Sequence, residues 1–146
     1  MKTPIDCSQL VAAVGDAIVA SDADGRIVLW NPGAERMFGH SEAEALGQSL
    51  DMIIPERLRK RHNEGYAKSM ETGTTRYGND LLRVPAMHKD GRQMSIAFTV
   101  AMLFDDAHKV SSIVAVIRDE TNRFNEDRAL RKRLMELEAQ VAATPK

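Results

Sequence analysis

Between residues 94 and 104 the chain alternates strictly. Met94, Ile96, Phe98, Val100, Met102 and Phe104 would point one way, and Ser95, Ala97, Thr99 and Ala101 the other. Period-two alternation of this length predicts a strand with one well-buried face. A polar gap, Asp105 to Lys109, leads into residues 110–117, where Ile113, Ala115 and Ile117 stand against Val114 and Val116. A run that is apolar on both sides predicts a strand flanked by neighbours and covered on both faces. The two runs make a long antiparallel hairpin, the spine of a sheet.

The segments around this spine follow from local signals. Residues 6–14 form an amphipathic helix that Asp6 or Ser8 would cap and Gly15 would stop. Residues 17–21 and 27–30 are short strands, and Asp24-Gly25 between them is a tight-hairpin signal because both tolerate positive φ. Pro32 suits a first helical position, so a short helix follows to Phe38 and closes at Gly39. Ser41 with Glu44 is a capping box that opens another. Residues 55–72 are the one long helix inside the domain, with Leu58, His62, Gly65, Tyr66 and Ser69 on one face and Arg57, Lys60, Arg61 and Lys68 toward water. Residues 81–88 are a third strand, placed at a sheet edge because Pro85 lacks a ladder donor. After Ile117 the pattern turns helical. Thr121 or Asn122 would cap a helix in which Leu130, Leu134, Leu137 and Val141 recur at heptad spacing. A helix of this size is marginal alone in water, so it must pack on the domain or pair with a second copy. Strands, a segregated lid of short helices and an exit helix make the fold α+β. The divisions are a cap helix over 1–15, a core over 16–119 and an amphipathic, coiled-coil-like helix over 120–146.

Composition narrows the function classes. At 146 residues, 43% hydrophobic and 28% charged, the chain is one ordinary globular domain with an appended element. A net charge of -1 gives no electrostatic case for nucleic acid or membrane as a partner. Cys7 is the single cysteine, which excludes a disulfide within the chain and suits a reducing compartment. No secretory or membrane-spanning run stands out, so the expectation is a soluble cytoplasmic protein. Phosphate loops, nucleophile elbows, zinc-helix motifs and paired catalytic carboxylates are missing, and the expectation is a protein that is not an enzyme.

The residues also carry a resemblance. Residues 31–40, Asn-Pro-Gly-Ala-Glu-Arg-Met-Phe-Gly-His, resemble the first conserved block of PAS domains. Lys89-Asp90-Gly91-Arg92 resembles their turn between third and fourth strands. Ile117-Arg118-Asp119-Glu120-Thr121 resembles the segment joining the last strand to an outgoing signalling helix, with Glu120 where Ile or Val is usual. The match runs over about residues 8–123 and is specific for the fold, not for a ligand. It implies the PAS fold: a five-stranded antiparallel sheet of order 2-1-5-4-3, with a pocket between the sheet and a helical lid on one face.

His62 is the sharpest candidate for chemistry. A neutral imidazole on an apolar helix face, opposite a hydrophobic sheet, can ligate haem iron. Gly65 would let a flat macrocycle approach the backbone. Ile54, Leu58, Tyr66, Leu82, Val84, Ile96, Phe98 and Ile113 would wall the pocket, and Arg59 and Arg83 would meet propionates. The resemblance implies haem b as cofactor, because His62 stands at the same spacing from the Gly91 turn as the proximal histidine of haem-binding PAS domains in bacterial oxygen sensors. Two positions depart from that pattern: Leu82 replaces an oxygen-holding Arg, and Asp80 replaces a Met that serves as sixth ligand. The bland alternative is a half-buried histidine bonded to a neighbour. A flavin photosensor would need a reactive cysteine near the pocket, and Cys7 lies outside the core. His40, His88 and His108 read as separate surface histidines, Arg57, Arg59, Lys60 and Arg61 as a solvated face, and the eight methionines as core filling.

The functional expectation is a PAS sensory module. Its pocket would sense a small molecule or redox state. Its output would pass through Asp119 and Thr121 to the Leu130, Leu134, Leu137 and Val141 seam of a homodimer, or to a signalling partner. The alternatives are a ligand-free dimerisation or interaction module, and the sensor part excised from a larger histidine kinase or cyclase.

Overall fold

The computed structural model describes residues 3–74 and 79–144; the outermost two residues of the 1–15 and 120–146 divisions lie outside these. In chain order the elements are α1 (Cys7–Ala13), β1 (Ala17–Asp22), β2 (Ile27–Trp30), α2 (Pro32–Phe38) and α3 (Glu42–Ala45). A 3-10 turn (Leu50–Ile53), α4 (Glu56–Thr72), β3 (Leu82–Met87), β4 (Gln93–Phe104), β5 (Val110–Asp119) and α5 (Thr121–Ala143) follow. The five strands form one sheet of order β2-β1-β5-β4-β3. Every neighbour pair is antiparallel. This is the expected α+β arrangement, and Pro85 sits on the edge strand where its missing donor costs nothing.

Register decides which side chains share a face. Phe98 pairs with Ile117, Val100 with Ala115 and Met102 with Ile113, while Val19 pairs with Ala115 and Trp30. Trp30, Val19, Ala17, Ile117, Ile96 and Met94 are buried there under α2, α3 and the 3-10 turn. Trp30, Phe38 and Ile27 are the largest fully buried side chains, and the Trp30 and Phe38 rings meet at 5.6 Å. Each such aliphatic or phenyl side chain contributes roughly 1.5–3 kcal/mol by leaving water.

Asn31 joins the lid to this sheet. Its side chain is the N-cap of α2, accepting from the Ala34 amide, and Pro32 takes the first helical position. The same oxygen accepts from the Ile18 amide, and its amide nitrogen donates to the carbonyls of Val11 and Asp16. Gly33 lies so close to β1 that a Cβ would stand 2.3 Å from the Asp16 carbonyl oxygen.

Three expectations need correction. The spine is not covered throughout: Val116 on β5 is exposed and Val114 half-buried, because among the described residues the outer face of the sheet carries little. On β4 only Met94 and Ile96 of the large side chains are buried, and Phe104 is 52% exposed. At that end of the hairpin Phe104 stands near Gly73, which has no side chain to cover it. Neither Thr121 nor Asn122 caps α5: Glu120 holds the cap position without a side-chain bond, and Thr121 is the first helical residue.

Candidate functional site

α4 carries most of the residues singled out in the sequence, and its packing decides what they can do. It buries none of its 17 residues fully. Leu58, His62, Tyr66, Ser69 and Met70 are half-buried along one side, as their spacing requires. Gly65 is exposed, and a Cβ there would meet nothing within 4 Å. Polar ties hold the helix down. Arg59 donates to the Ile54 carbonyl, Asn63 to Asp51, and the Tyr66 hydroxyl to the Asp22 carbonyl, while its oxygen also bonds the Ser21 hydroxyl. Burial pushes the Tyr66 phenol up, helped by Asp22 and Asp24 and opposed by its bond to Ser21.

His62 and Tyr66 face each other, ring centroids 6.0 Å apart, and His62 Nδ1 lies 3.3 Å from Asn63 Oδ1. Both line a hollow of about 230 Å³ whose other walls are the β1–β2 turn, Ala23 to Arg26, and Ser49, Leu50, Asn63 and Ala67. The remaining expected pocket residues lie elsewhere. Ile96 belongs to the buried core, Phe98 packs against it, and Ile113 is half-buried on β5. Leu82 is half-buried and Val84 is 38% exposed on the edge strand. Leu58 is half-buried one turn before His62. None of these residues lines the hollow beside His62.

The junction between sheet and exit helix is tightly bonded. The Ser95 amide on β4 donates to Thr121 Oγ1 at 3.0 Å, and the Glu120 amide donates to the Ser95 carbonyl at 2.8 Å. Asp119 accepts from both the amide and the hydroxyl of Thr121, at 2.9 and 2.6 Å. The ladder between β4 and β5 therefore continues into the first residues of α5. Arg118 meets Asp16 through two bonds of 3.2 Å, which ties the start of β1 to the same place and raises the guanidinium's affinity for its proton. Beyond the junction Leu130, Leu134, Leu137 and Val141 are all exposed, as are Phe124 and Met135.

Sequence reading missed a second cluster, at the turn that leads into the start of β4. His40 and His88 are not surface residues: both are half-buried, because the β3–β4 turn folds onto the segment between α2 and α3. The Lys89 amide donates to the Phe38 carbonyl at 2.8 Å, and Lys89 Nζ to Glu44 Oε2 at 2.6 Å. Glu44 also completes the capping box with Ser41, and these bonds, led by Lys89, hold its carboxyl down to about 2. The capping box was legible in the sequence; its clasp with a lysine 45 positions away was not.

A family model described as the PAS fold matches residues 6–119. Sensor protein FixL of Bradyrhizobium diazoefficiens is 41% identical over 54 residues, which covers 37% of this chain and 11% of that protein. Oxygen sensor protein DosP of Escherichia coli is 27% identical over 103 residues, covering 70% of this chain and 12% of that protein. The chain thus spans only about an eighth or less of these curated relatives. The crystal structure of the PAS domain of a Colwellia psychrerythraea protein superposes with a TM-score of 0.69 at 24% identity, covering 80% of this chain and 95% of that one.

Proposed function

This chain belongs to the PAS family over residues 6–119, and from that membership we propose that it is a sensory, non-catalytic module whose output element is α5. One observation carries the reading: β4 and β5 are bonded through Ser95, Asp119 and Thr121 into the first turn of a helix whose apolar seam faces water. A change in how the sheet packs alters the direction in which α5 leaves it. The seam of Leu130, Leu134, Leu137 and Val141 then converts that direction into a change within a homodimer. Exposed apolar residues at heptad spacing support pairing with a second copy, since an isolated helix gains nothing from them. Among the described residues no helix is long and apolar enough to cross a membrane.

Light-scattering mass measurement tests the pairing. The full chain elutes as a dimer, while a chain ending at Asn122 and the Leu134→Glu variant elute as monomers. Unchanged mass on truncation overturns α5 as the main dimer contact.

The likeness to a relative named an oxygen sensor protein supports a second reading, haem b on His62. The donor is suitable, a half-buried imidazole with Asn63 beside it. The walls do not fit. The hollow at His62 is smaller than the roughly 300–1,000 Å³ of ordinary small-molecule clefts, and Asp24, Arg26 and Asn63 stand on it instead of Ile96 and Phe98. As placed, these residues do not enclose a porphyrin, and no step of the mechanism is routed through one. Absorption spectra with added haemin separate the readings: a sharp Soret band abolished by His62→Ala supports haem, and its absence favours another ligand or a ligand-free module.

A further inference from the structure

Among the described residues one buried side-chain nitrogen has no hydrogen-bond partner, His40 Nε2. The residue lies between α2 and α3, its carbonyl accepts from Trp30 Nε1 at 2.9 Å, and its ring stands edge-on to Trp30. The charged and titratable groups around it come from two elements. Glu44 is on α3, and Lys89 and His88 are on the β3–β4 turn, with Asp90 3.2 Å behind His88 Nδ1. The same turn is held to the α2–α3 segment by the two Lys89 bonds to Phe38 and Glu44.

A neutral imidazole suits this enclosure. An imidazolium would place a cation out of water beside Lys89 and His88, with only Glu44 to answer it, and Glu44 is already engaged by Lys89 and Ser41. We propose that His40 makes the clasp between the β3–β4 turn and the α2–α3 segment acid-labile, so that proton uptake at His40 releases the turn. Because this turn feeds β4, whose Ser95 holds the start of α5, release is felt at the output junction.

The direction follows from linkage. Burial, with Lys89 and His88, holds the His40 imidazole below its ordinary 6.5, against an opposing effect of Glu44. The clasped state therefore keeps its full stability above about 6.5 and loses it as pH falls, because the released state takes the proton.

Three measurements on the intact protein test this. His40 ring resonances are titrated by NMR. Emission of Trp30, the sole tryptophan, is followed over the same range. Exchange of the Lys89 amide is compared at pH 7.5 and 5.5 after correction for the chemical rate. One proton allows at most about a tenfold rise in opening over this interval, and we expect a rise of about three- to tenfold. His40→Gln abolishes the rise and the Trp30 response, whereas His88→Gln retains both. The proposal is overturned if His40→Gln keeps the full response, or if His40 titrates at or above 6.5 in the folded protein. The second criterion needs no variant to fold.

Discussion

Asn31→Ala is the sharpest test of how the lid is joined to the sheet. The wild-type side chain accepts from the amides of Ile18 and Ala34 at 2.8 and 2.9 Å and donates to the carbonyls of Val11 and Asp16 at 2.9 and 3.1 Å. Asn31 is only 3% exposed, so water cannot replace these partners without rearrangement. Losing the N-cap alone costs about 1 kcal/mol. A buried donor left without an acceptor costs roughly 1–3 kcal/mol more. With partial relaxation the sum is about 2–4 kcal/mol, a large share of the 5–15 kcal/mol that typically stabilises a domain. Urea unfolding followed by circular dichroism reads it as a midpoint lower by roughly 1–2 M. Asn31→Asp keeps both accepted bonds but turns an oxygen toward two carbonyls. It loses stability at neutral pH and recovers part of it in acid, where a protonated carboxyl donates again. A loss below about 1 kcal/mol for Asn31→Ala would mean that these four bonds do not hold α1, β1 and α2 together.

Other outcomes follow from single contacts. Gly33→Ala places a methyl against the Asp16 carbonyl, a backbone atom that cannot step aside, and thermal denaturation should register a loss of more than about 1 kcal/mol. Tyr66→Phe removes the hydroxyl bonds to Ser21 and Asp22 and lowers stability by about 1 kcal/mol; amide exchange in α4 should quicken more than in β5. Glu44 is held down to about 2 in the folded state against an ordinary 4.5, so its contribution is present above pH 4.5 and fades as pH falls toward 2. In Glu44→Gln that part of the acid dependence of unfolding is flattened.

Most of the fold was legible because its signals are local. Alternation over residues 94–104, the Asp24-Gly25 turn, Pro85 at an edge and the Asn31-Pro32 helix start each act within a few residues, and the element bounds fall within a residue or two of expectation. The covering of faces was less legible. Whether Val116 meets a partner or water depends on what packs from outside the sheet, which alternation does not encode. The site was least legible. Helical spacing put Leu58, His62, Gly65, Tyr66 and Ser69 on one side of α4; all but Gly65 are half-buried there, but spacing could not say that this side faces the β1–β2 turn at His62. His40 looked like a lone loop histidine because Lys89 and His88, which enclose it, arrive from a hairpin far along the chain.

In the proposed mechanism the Ser95–Asp119–Thr121 junction sets the course of α5 in a dimer. Electron–electron distance measurement between spin labels at Glu138→Cys, in a Cys7→Ser background, reads that course in the intact dimer. One narrow distance between protomers is expected, and it broadens or shifts in Thr121→Val, where Ser95 loses its hydroxyl acceptor. No distance between protomers, or the same narrow distribution in Thr121→Val, would contradict that mechanism.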